Sequence, residues 1–245
     1  MPTSSSGKKT SSRHQHGDSR LTQAMENYLL SIYLVEEQGL RVTNSNLVAQ
    51  LRRVPETENL GTSLPSVSGM LRRMEKEQLI RIADSRDIGL TTTGKTLAER
   101  IIRRHRLAAR MIVDLLGVDL WDVNAQAHML EHALSDEIEA RIKQKLNDPK
   151  TDPFGQPIPG SGYVQPGNVV TLDNAPTGVD MVINRIPEDD VELVKYLVET
   201  GVLPGVRVTV EEVAPFRGIV SLTVGGRAAV LGYAVANRIM LSPAG

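Results

Sequence analysis

Residues 63–91 read SLPSVSGMLRRMEKEQLIRIADSRDIGLT, which is the pattern of one helix followed by a β-hairpin. The helix is predicted to begin at Ser63, with Pro65 in its first turn, where a missing N–H costs nothing. Two short strands, 79–82 and 88–91, flank the turn at 84–87. The residues of the helix predicted to face inward are Val67, Met70, Leu71 and Met74, and those predicted to face outward are Ser66, Ser68, Arg72, Arg73 and Lys76.

Two further helices are predicted upstream, one over residues 21–38 and one that begins at Thr43 or Asn44. Between the second and third helices, residues 54–62 (VPETENLGT) are polar and rich in helix breakers, which predicts an extended turn. Three helices and a hairpin form the winged helix-turn-helix order, which places its second short helix in the major groove of DNA. The candidate DNA-contacting residues are Ser63, Pro65, Ser66, Ser68, Arg72, Arg73 and the wing residue Arg86.

Charge is distributed unevenly along the chain, although the net charge is only −1. Residues 41–106 contain 13 Lys and Arg against 7 Asp and Glu, whereas the two following segments, 107–168 and 169–245, are acidic. A cationic module within an otherwise acidic protein indicates a surface that faces phosphates, or alternatively a solvated basic helix face. The chain has no cysteine, no long apolar run and a polar amino terminus, so we expect a cytoplasmic protein without thiolate sites and without a membrane partner.

The rest of the chain predicts two more structural units. Helices are expected over 93–116, 120–134 and 135–146. A Pro- and Gly-rich segment follows at 147–168, which is either a linker or an ordered loop. Val-rich alternation then predicts a small antiparallel barrel interrupted by a helix at 189–200. The fold class is therefore mainly α with a C-terminal small β-barrel. The predicted divisions are a disordered tail (1–18), a winged helix-turn-helix domain (19–92), a helical metal-binding and dimerisation domain (93–150), a linker (151–168) and an SH3-like barrel (169–245).

Three residues of the second unit have the spacing of a metal site. His128, Glu131 and His132 stand at i, i+3 and i+4 of a predicted helix, which puts them on one face within reach of a single cation. Imidazole and carboxylate groups without thiolate suit Mn(II), Fe(II), Co(II), Ni(II) or Zn(II). His105 on the preceding helix is predicted to face the same interior. The alternative is that these are ordinary half-buried polar residues.

The same residues also match the His-x-x-Glu-His motif of inverted zinc metallopeptidases. In such an enzyme Glu131 would be the general base and both histidines would be ligands. The preceding helix-turn-helix and the lack of an obvious substrate-cleft domain argue against an enzyme and against a small organic substrate. Glu131→Gln would abolish proteolysis in a peptidase while leaving the metal bound.

Several segments resemble the diphtheria toxin repressor family of iron- and manganese-dependent regulators. They are Arg104–Ala108 (RHRLA), Glu131-His132 followed by Asp136-Glu137-x-Glu139, Asp152–Gly160 (DPFGQPIPG), and Pro65–Ser68 with Arg73–Glu75. The last of these is similar to the recognition helix of the family. The third unit, with Leu203-Pro204-Gly205, looks like the SH3-like, ferrous-transport-A-like domain of the longer members.

The resemblance implies which residues bind the metal. Glu131 and His132 match the carboxylate and imidazole ligands of the primary site, and His128 falls where iron-type members place Cys and manganese-type members place Glu. Asn27 falls where Met or Asp is expected, and Glu26 or Gln23 could assist it. With no sulfur at positions 27 and 128, the donor set favours Mn(II) over Fe(II), and we expect other divalent transition metals to substitute in vitro.

A second, ancillary site in the family uses a histidine that matches His105. The other two helix ligands of that ancillary site map to Ala109 and Asn124 in this sequence. The resemblance therefore implies that acidic residues of the third unit complete the ancillary site, near Asp189, Asp190 or Glu192.

Metal binding in such a regulator is allosteric. A cation that bridges Asn27 and the His128–His132 cluster would fix the winged domain relative to the dimer core, so that both recognition helices meet successive major grooves. We therefore expect a homodimer that binds palindromic operator DNA, with Mn(II) or Fe(II) as cofactor, and represses metal-homeostasis genes. A metal-independent winged-helix regulator is the alternative.

Overall fold

The computed structural model describes residues 21–54, 58 and 60–244, so the disordered tail predicted at 1–18 lies outside the described residues. Two mainly helical units precede a C-terminal antiparallel sheet, in agreement with the predicted fold class. None of the described helices has the length and apolarity that crossing a bilayer requires.

The first unit is the predicted winged helix-turn-helix. Its helices are α1 (Gln23–Glu37), α2 (Asn44–Leu51) and α3 (Leu64–Lys76). Thr22, Thr43 and Ser63 cap them, each accepting a hydrogen bond from the backbone N–H three residues later. Their apolar faces form one aliphatic core that includes Leu29, Leu47, Val67, Leu71 and Met74.

The wing is a two-stranded hairpin, β1 (Ile80–Ile82) and β2 (Ile88–Leu90), with Ile80 opposite Leu90. Arg41 lies within 2.5 Å of Asp87 and joins the wing to the chain just before α2. This exposed ion pair links the turn of the wing to the segment between α1 and α2.

The second unit contains α4 (Thr92–Asp114), α5 (Val123–Glu131) and α6 (Asp136–Lys145). The middle helix is shorter than the predicted 120–134: residues Leu120–Asp122 form a 3₁₀ turn, and α5 ends at Glu131 with His132 as its C-cap. It cannot extend further because Ser135 already caps α6. The i, i+3, i+4 arrangement survives, because His132 keeps a right-handed helical backbone.

The segment predicted as a linker, 151–168, packs against both neighbouring units instead of crossing solvent. Asp152 is buried and accepts the backbone N–H groups of Phe154 and Gln156, both at 2.9 Å. Phe154 enters the core of the C-terminal sheet, whereas Ile158 packs against Leu107 and Ile142 of the helical unit. Its prolines and glycines shape an ordered loop that joins two cores.

The C-terminal unit is a six-stranded antiparallel sheet with strand order β3-β8-β4-β5-β6-β7. Its elements are β3 (Val170–Thr171), β4 (Asp180–Arg185), α7 (Val191–Thr200), β5 (Arg207–Ala214), β6 (Ile219–Val224), β7 (Arg227–Gly232), α8 (Tyr233–Ala236) and β8 (Met240–Pro243). Gly225 and Gly226 form the β6–β7 turn, and their positive φ angles of 54° and 79° suit glycine. Alternate residues of β6 point into the core, as the sequence alternation predicts.

Candidate metal centre

The end of α5 brings His128, Glu131 and His132 to one point. Each offers a ligand atom, and these atoms all lie within 4.8 Å of one another. Glu131 Oε1 lies 3.0 Å from His128 Nδ1 and 3.2 Å from His132 Nε2. Glu131 is only 1% exposed and His128 7%, so the cluster lies in the protein interior.

Helix α1 supplies the other side of this cluster. Asn27 is fully buried, and its Oδ1 lies 3.1 Å from His132 Nε2. Glu26 lies beside it, but its Oε2 contacts His132 Nδ1 at 2.6 Å, on the other nitrogen of the ring. This corrects the expectation that Glu26 assists as a ligand: its carboxylate orients the ring of His132, as outer-shell carboxylates do in metal centres. Asn27 is the α1 residue that faces the cluster.

The turn between α2 and α3 contributes a carboxylate that the sequence analysis missed. Glu58 Oε1 lies 3.8 Å from His128 Nε2, and its Oε2 accepts a hydrogen bond from Asn27 Nδ2 at 3.1 Å. Gln23 donates a second hydrogen bond to Glu58, at 3.0 Å. Gln23 thus holds Glu58 rather than facing the histidines. No local spacing connects Glu58 with α5, and its position in a breaker-rich turn was its only distinguishing signal.

Two buried atoms of the cluster lack a hydrogen-bond partner among the described residues, namely His128 Nε2 and Glu131 Oε1. An unpaired buried polar atom costs about 1–3 kcal/mol, and a water molecule or an ion is one explanation for such an atom. Imidazole nitrogens and a carboxylate oxygen that lie this close together fit a divalent transition metal. The residues present therefore fit the metal that the sequence predicts.

His105 approaches the cluster from α4 and contacts its carboxylate. Its Nδ1 lies 2.6 Å from Glu131 Oε2. Burial favours the neutral carboxyl, but the charge and hydrogen bond of His105, followed by the nearby His128, hold the pKa of Glu131 at about 2. Glu131 is therefore ionised throughout the physiological range. His105, which was expected in a separate second site, supports a residue of the first cluster.

The acidic residues predicted to complete that second site are engaged elsewhere. Asp190 caps α7 by accepting the N–H of Leu193 at 3.0 Å, and Glu192 pairs with Lys195 at 2.8 Å. The carboxyl of the third unit whose charge raises the pKa of His105 is instead that of Glu188. Both residues line a cleft of about 710 Å³. Asp190 and Glu192 are therefore not arranged as partners of His105.

The other two positions of that second site do not supply it with a ligand. Ala109 is buried in the core that α4 shares with the C-terminal sheet. Asn124 Nδ2 donates to the backbone carbonyl of Glu188 at 2.8 Å.

The titrating groups around the cluster predict how the stability of the metal-free protein depends on pH. Burial opposes the charge of both His105 and His132, but neighbouring carboxylates outweigh it and raise both pKa values above 6.5. For His105 the carboxylate is that of Glu131. For His132 it is that of Glu26, followed by Glu131. Burial, and then the charge of Asp152, raises the pKa of Glu188 to about 7. All three groups bind more protons in the folded than in the unfolded chain.

The free energy of unfolding in chelator should therefore fall between about pH 6 and about pH 8. The histidine contribution is fully present below the unfolded pKa of about 6.5 and is lost as the pH rises through the folded values. Urea unfolding at the two pH values measures this, and Glu188→Gln should reduce the difference. A free energy of unfolding that increases over this range would contradict the proton linkage.

The predicted DNA-contacting residues lie on one exposed helix face and on the wing. Pro65, Ser66 and Arg72 are exposed, as is Arg86, which adopts a positive φ of 62° at the wing turn. Ser68 is half-buried. Two of the predicted DNA-contacting residues already have a partner within the protein. The Ser63 hydroxyl caps α3, and Arg73 Nε donates to Glu77 at 3.1 Å.

Comparisons with known proteins agree with this arrangement. The family described as the iron dependent repressor metal binding and dimerisation domain matches residues 91–160, and the FeoA domain matches residues 170–243. The iron-dependent repressor IdeR of Mycobacterium leprae is 34% identical over 232 residues, which cover 89% of this chain and 96% of that protein. The diphtheria toxin repressor of Corynebacterium diphtheriae is 38% identical over 148 residues, covering 60% and 62% respectively.

Solved structures extend the likeness to the whole fold. A manganese-dependent transcriptional repressor in complex with manganese has a TM-score of 0.76 and 29% identity, covering 90% of this chain and all (100%) of that one. A winged helix joined to a helical unit with a buried histidine and carboxylate cluster defines the class of metal-dependent transcriptional repressors. The chain belongs to the diphtheria toxin repressor family within that class.

The peptidase alternative does not fit these findings. The relatives are named as repressors and not as enzymes. Glu131 is also almost fully buried between three imidazoles, whereas a general base must reach a water molecule and a substrate.

Proposed function

We propose that the chain represses transcription by binding palindromic operator DNA as a homodimer when Mn(II) or Fe(II) is bound, with Mn(II) preferred. One observation carries this proposal: Asn27 Oδ1 and Glu131 Oε1 both lie within 3.2 Å of His132 Nε2. Asn27 belongs to the winged domain and Glu131 to the helical unit. A cation held between them ties the two units together.

Asn27, His128, Glu131 and His132 would hold the metal. Glu26 and His105 orient two of these ligands by contacting His132 Nδ1 and Glu131 Oε2. The bound ion would supply positive charge beside the buried carboxylate of Glu131 and close to His128 Nε2, which has no partner among the described residues.

The preference for Mn(II) follows from the donor atoms. All candidate ligands offer nitrogen or oxygen, and the chain has no cysteine. Sulfur donors favour softer ions, whereas carboxylate and amide oxygens suit Mn(II). Manganese- and iron-dependent repressors both occur among the relatives, which supports either ion as the physiological activator. Equilibrium binding of the two ions under anaerobic conditions compares them directly.

Metal binding would shift a population rather than catalyse a reaction. The exposed face of α3, with Ser66 and Arg72, would enter the major groove while Arg86 contacts the backbone. Fixing α1 against α5 would restrict how α3 is presented, so that two recognition helices reach successive grooves.

Exposed apolar side chains on the helical unit support a homodimer. Leu116 is 65% exposed and Met129 71%, and Leu115 beside them is also exposed. A second copy that covers these residues would form an isologous contact, and its two-fold symmetry would match a palindromic operator.

Selection from a random pool of duplex DNA tests the proposed function. In Mn(II), the selected sequences should contain inverted repeats with half-sites separated by one helical turn, about 10 base pairs or a multiple of it. With chelator, no sequence should be enriched. Enrichment of the same sequences with and without metal would favour a metal-independent regulator, and direct repeats would contradict the symmetric dimer.

A further inference from the structure

Glu58 lies on a turn but its side chain is only 17% exposed, because it is directed toward the metal centre. Two amides of α1, Gln23 and Asn27, stand one helical turn apart and donate to its two carboxylate oxygens. These hydrogen bonds hold Oε1 on the side of His128, 3.8 Å from its unpaired Nε2. The carboxylate is therefore oriented toward a buried atom that has no partner among the described residues.

The separation between Glu58 Oε1 and His128 Nε2 is too long for a hydrogen bond and slightly longer than the spacing of two ligands on one ion. At 3.8 Å it exceeds hydrogen-bond range, whereas ligands about 2.1 Å from one ion lie about 3.0–3.5 Å apart, so a small movement brings the two groups to that spacing. His132 Nε2 stands in the same relation to Asn27 and Glu131, at 3.1 and 3.2 Å.

Charge also favours a second carboxylate at this centre. A dication bound by two neutral imidazoles, the Asn27 amide and the Glu131 carboxylate would retain a net positive charge in a buried place. Buried charge is costly unless it is paired. Asn27 carries no charge and Glu26 contacts the outer nitrogen of His132, so Glu58 is a second carboxylate that can help to neutralise the centre, and its oxygen atoms add to the donor set that Mn(II) favours.

The position of Glu58 connects the centre with the recognition helix. Gly61, three residues after Glu58, is packed between α1 and the start of α3: Tyr28 Oη lies 3.5 Å from the Gly61 carbonyl, and a Cβ at Gly61 would stand 2.6 Å from Ser66 Oγ. Glu58 precedes the first residue of α3, Leu64, by only six positions.

We propose that Glu58 is a carboxylate ligand of the metal centre, through which metal binding fixes the start of the recognition helix. This inference rests on the proposed function, since it concerns the same centre. It assigns the turn at 54–62 a direct part in the metal response, in addition to the tie between α1 and α5.

Mn(II) binding followed by electron paramagnetic resonance, and DNA binding followed by fluorescence anisotropy, test the inference. Glu58→Gln keeps the shape and the acceptor for Asn27 but removes the charge. It should weaken Mn(II) binding at least about tenfold, the size of effect that loss of groups at metal centres produces, and raise the Mn(II) concentration needed for DNA binding equally. Glu56→Gln, which removes the same charge two positions earlier in the chain, should leave both unchanged.

A double-mutant cycle distinguishes a ligand from a residue that only orients Asn27. In an Asn27→Ala background a ligand still loses affinity on Glu58→Gln, whereas a positioning residue loses nothing further. Equal Mn(II) affinity in wild type and Glu58→Gln, or a loss with Glu56→Gln alone, overturns the inference while leaving the proposed function intact. A wild-type chain that binds no Mn(II), or binds DNA equally without it, overturns the proposed function itself.

Discussion

Glu131→Gln should weaken Mn(II) binding by more than about 100-fold and abolish metal-dependent DNA binding at micromolar Mn(II). Its two oxygens contact His105, His128 and His132, and its pKa of about 2 keeps it charged. The amide keeps the shape but removes the charge that holds a dication, and outer-shell changes alone cost 10- to 100-fold at metal centres.

Isothermal titration calorimetry with Mn(II) measures this effect, and Glu137→Gln is its control because that exposed carboxylate of α6 contacts only Arg141 among the described residues. Glu131→Gln also separates a repressor from an inverted-motif peptidase. In such a peptidase Glu131 is the base and not a ligand, so the variant would still bind the metal. Mn(II) affinity within about threefold of wild type would contradict the assignment of Glu131 as a ligand.

Arg106→Ala should lower the free energy of unfolding by about 3–5 kcal/mol, the cost of breaking a buried ion pair. Arg106 is 1% exposed, donates to Glu37 of α1 at 3.0 Å, and lies 3.9 Å from the buried carboxylate of Asp152. It also donates to the Pro157 carbonyl. The substitution removes the cation that lies between Glu37 and the buried Asp152, at the point where α1, α4 and the ordered loop meet.

Denaturant unfolding in chelator measures that loss without a contribution from metal. Arg141→Ala serves as control, because Arg141 forms an exposed pair with Glu137 that should contribute less than about 1 kcal/mol. A loss below about 1 kcal/mol for Arg106→Ala would show that the buried pairing adds little to the fold.

Local patterns predict the features that depend on neighbouring residues. The caps Ser63 and Ser135, the wing hairpin and the grouping of His128, Glu131 and His132 all follow from spacings of a few residues, and the structure has each of them. The position of Asn27 beside His132 depends on packing between α1 and α5, and it was implied only by the family resemblance.

Features that depend on distant parts of the chain were missed or misplaced. Glu58 reaches the metal centre from a turn whose polar composition indicates only solvent exposure. Phe154 is buried by a sheet that begins well after it, so the Pro- and Gly-rich composition around it could not distinguish a linker from an ordered loop. The charge of Glu188, and not that of Asp190, raises the pKa of His105. Asp190 is instead the N-cap of α7. Each outcome is decided by tertiary packing, which residue spacing does not encode.

The central claim is that metal, held between the winged and helical units, increases affinity for DNA. Fluorescence anisotropy on the selected inverted-repeat duplex, at one fixed salt concentration, compares Kd in Mn(II) with Kd in chelator. An allosteric coupling of ordinary size predicts that Mn(II) tightens binding by about 5- to 150-fold, and that His132→Ala removes the difference. Equal Kd values with and without metal would contradict the account.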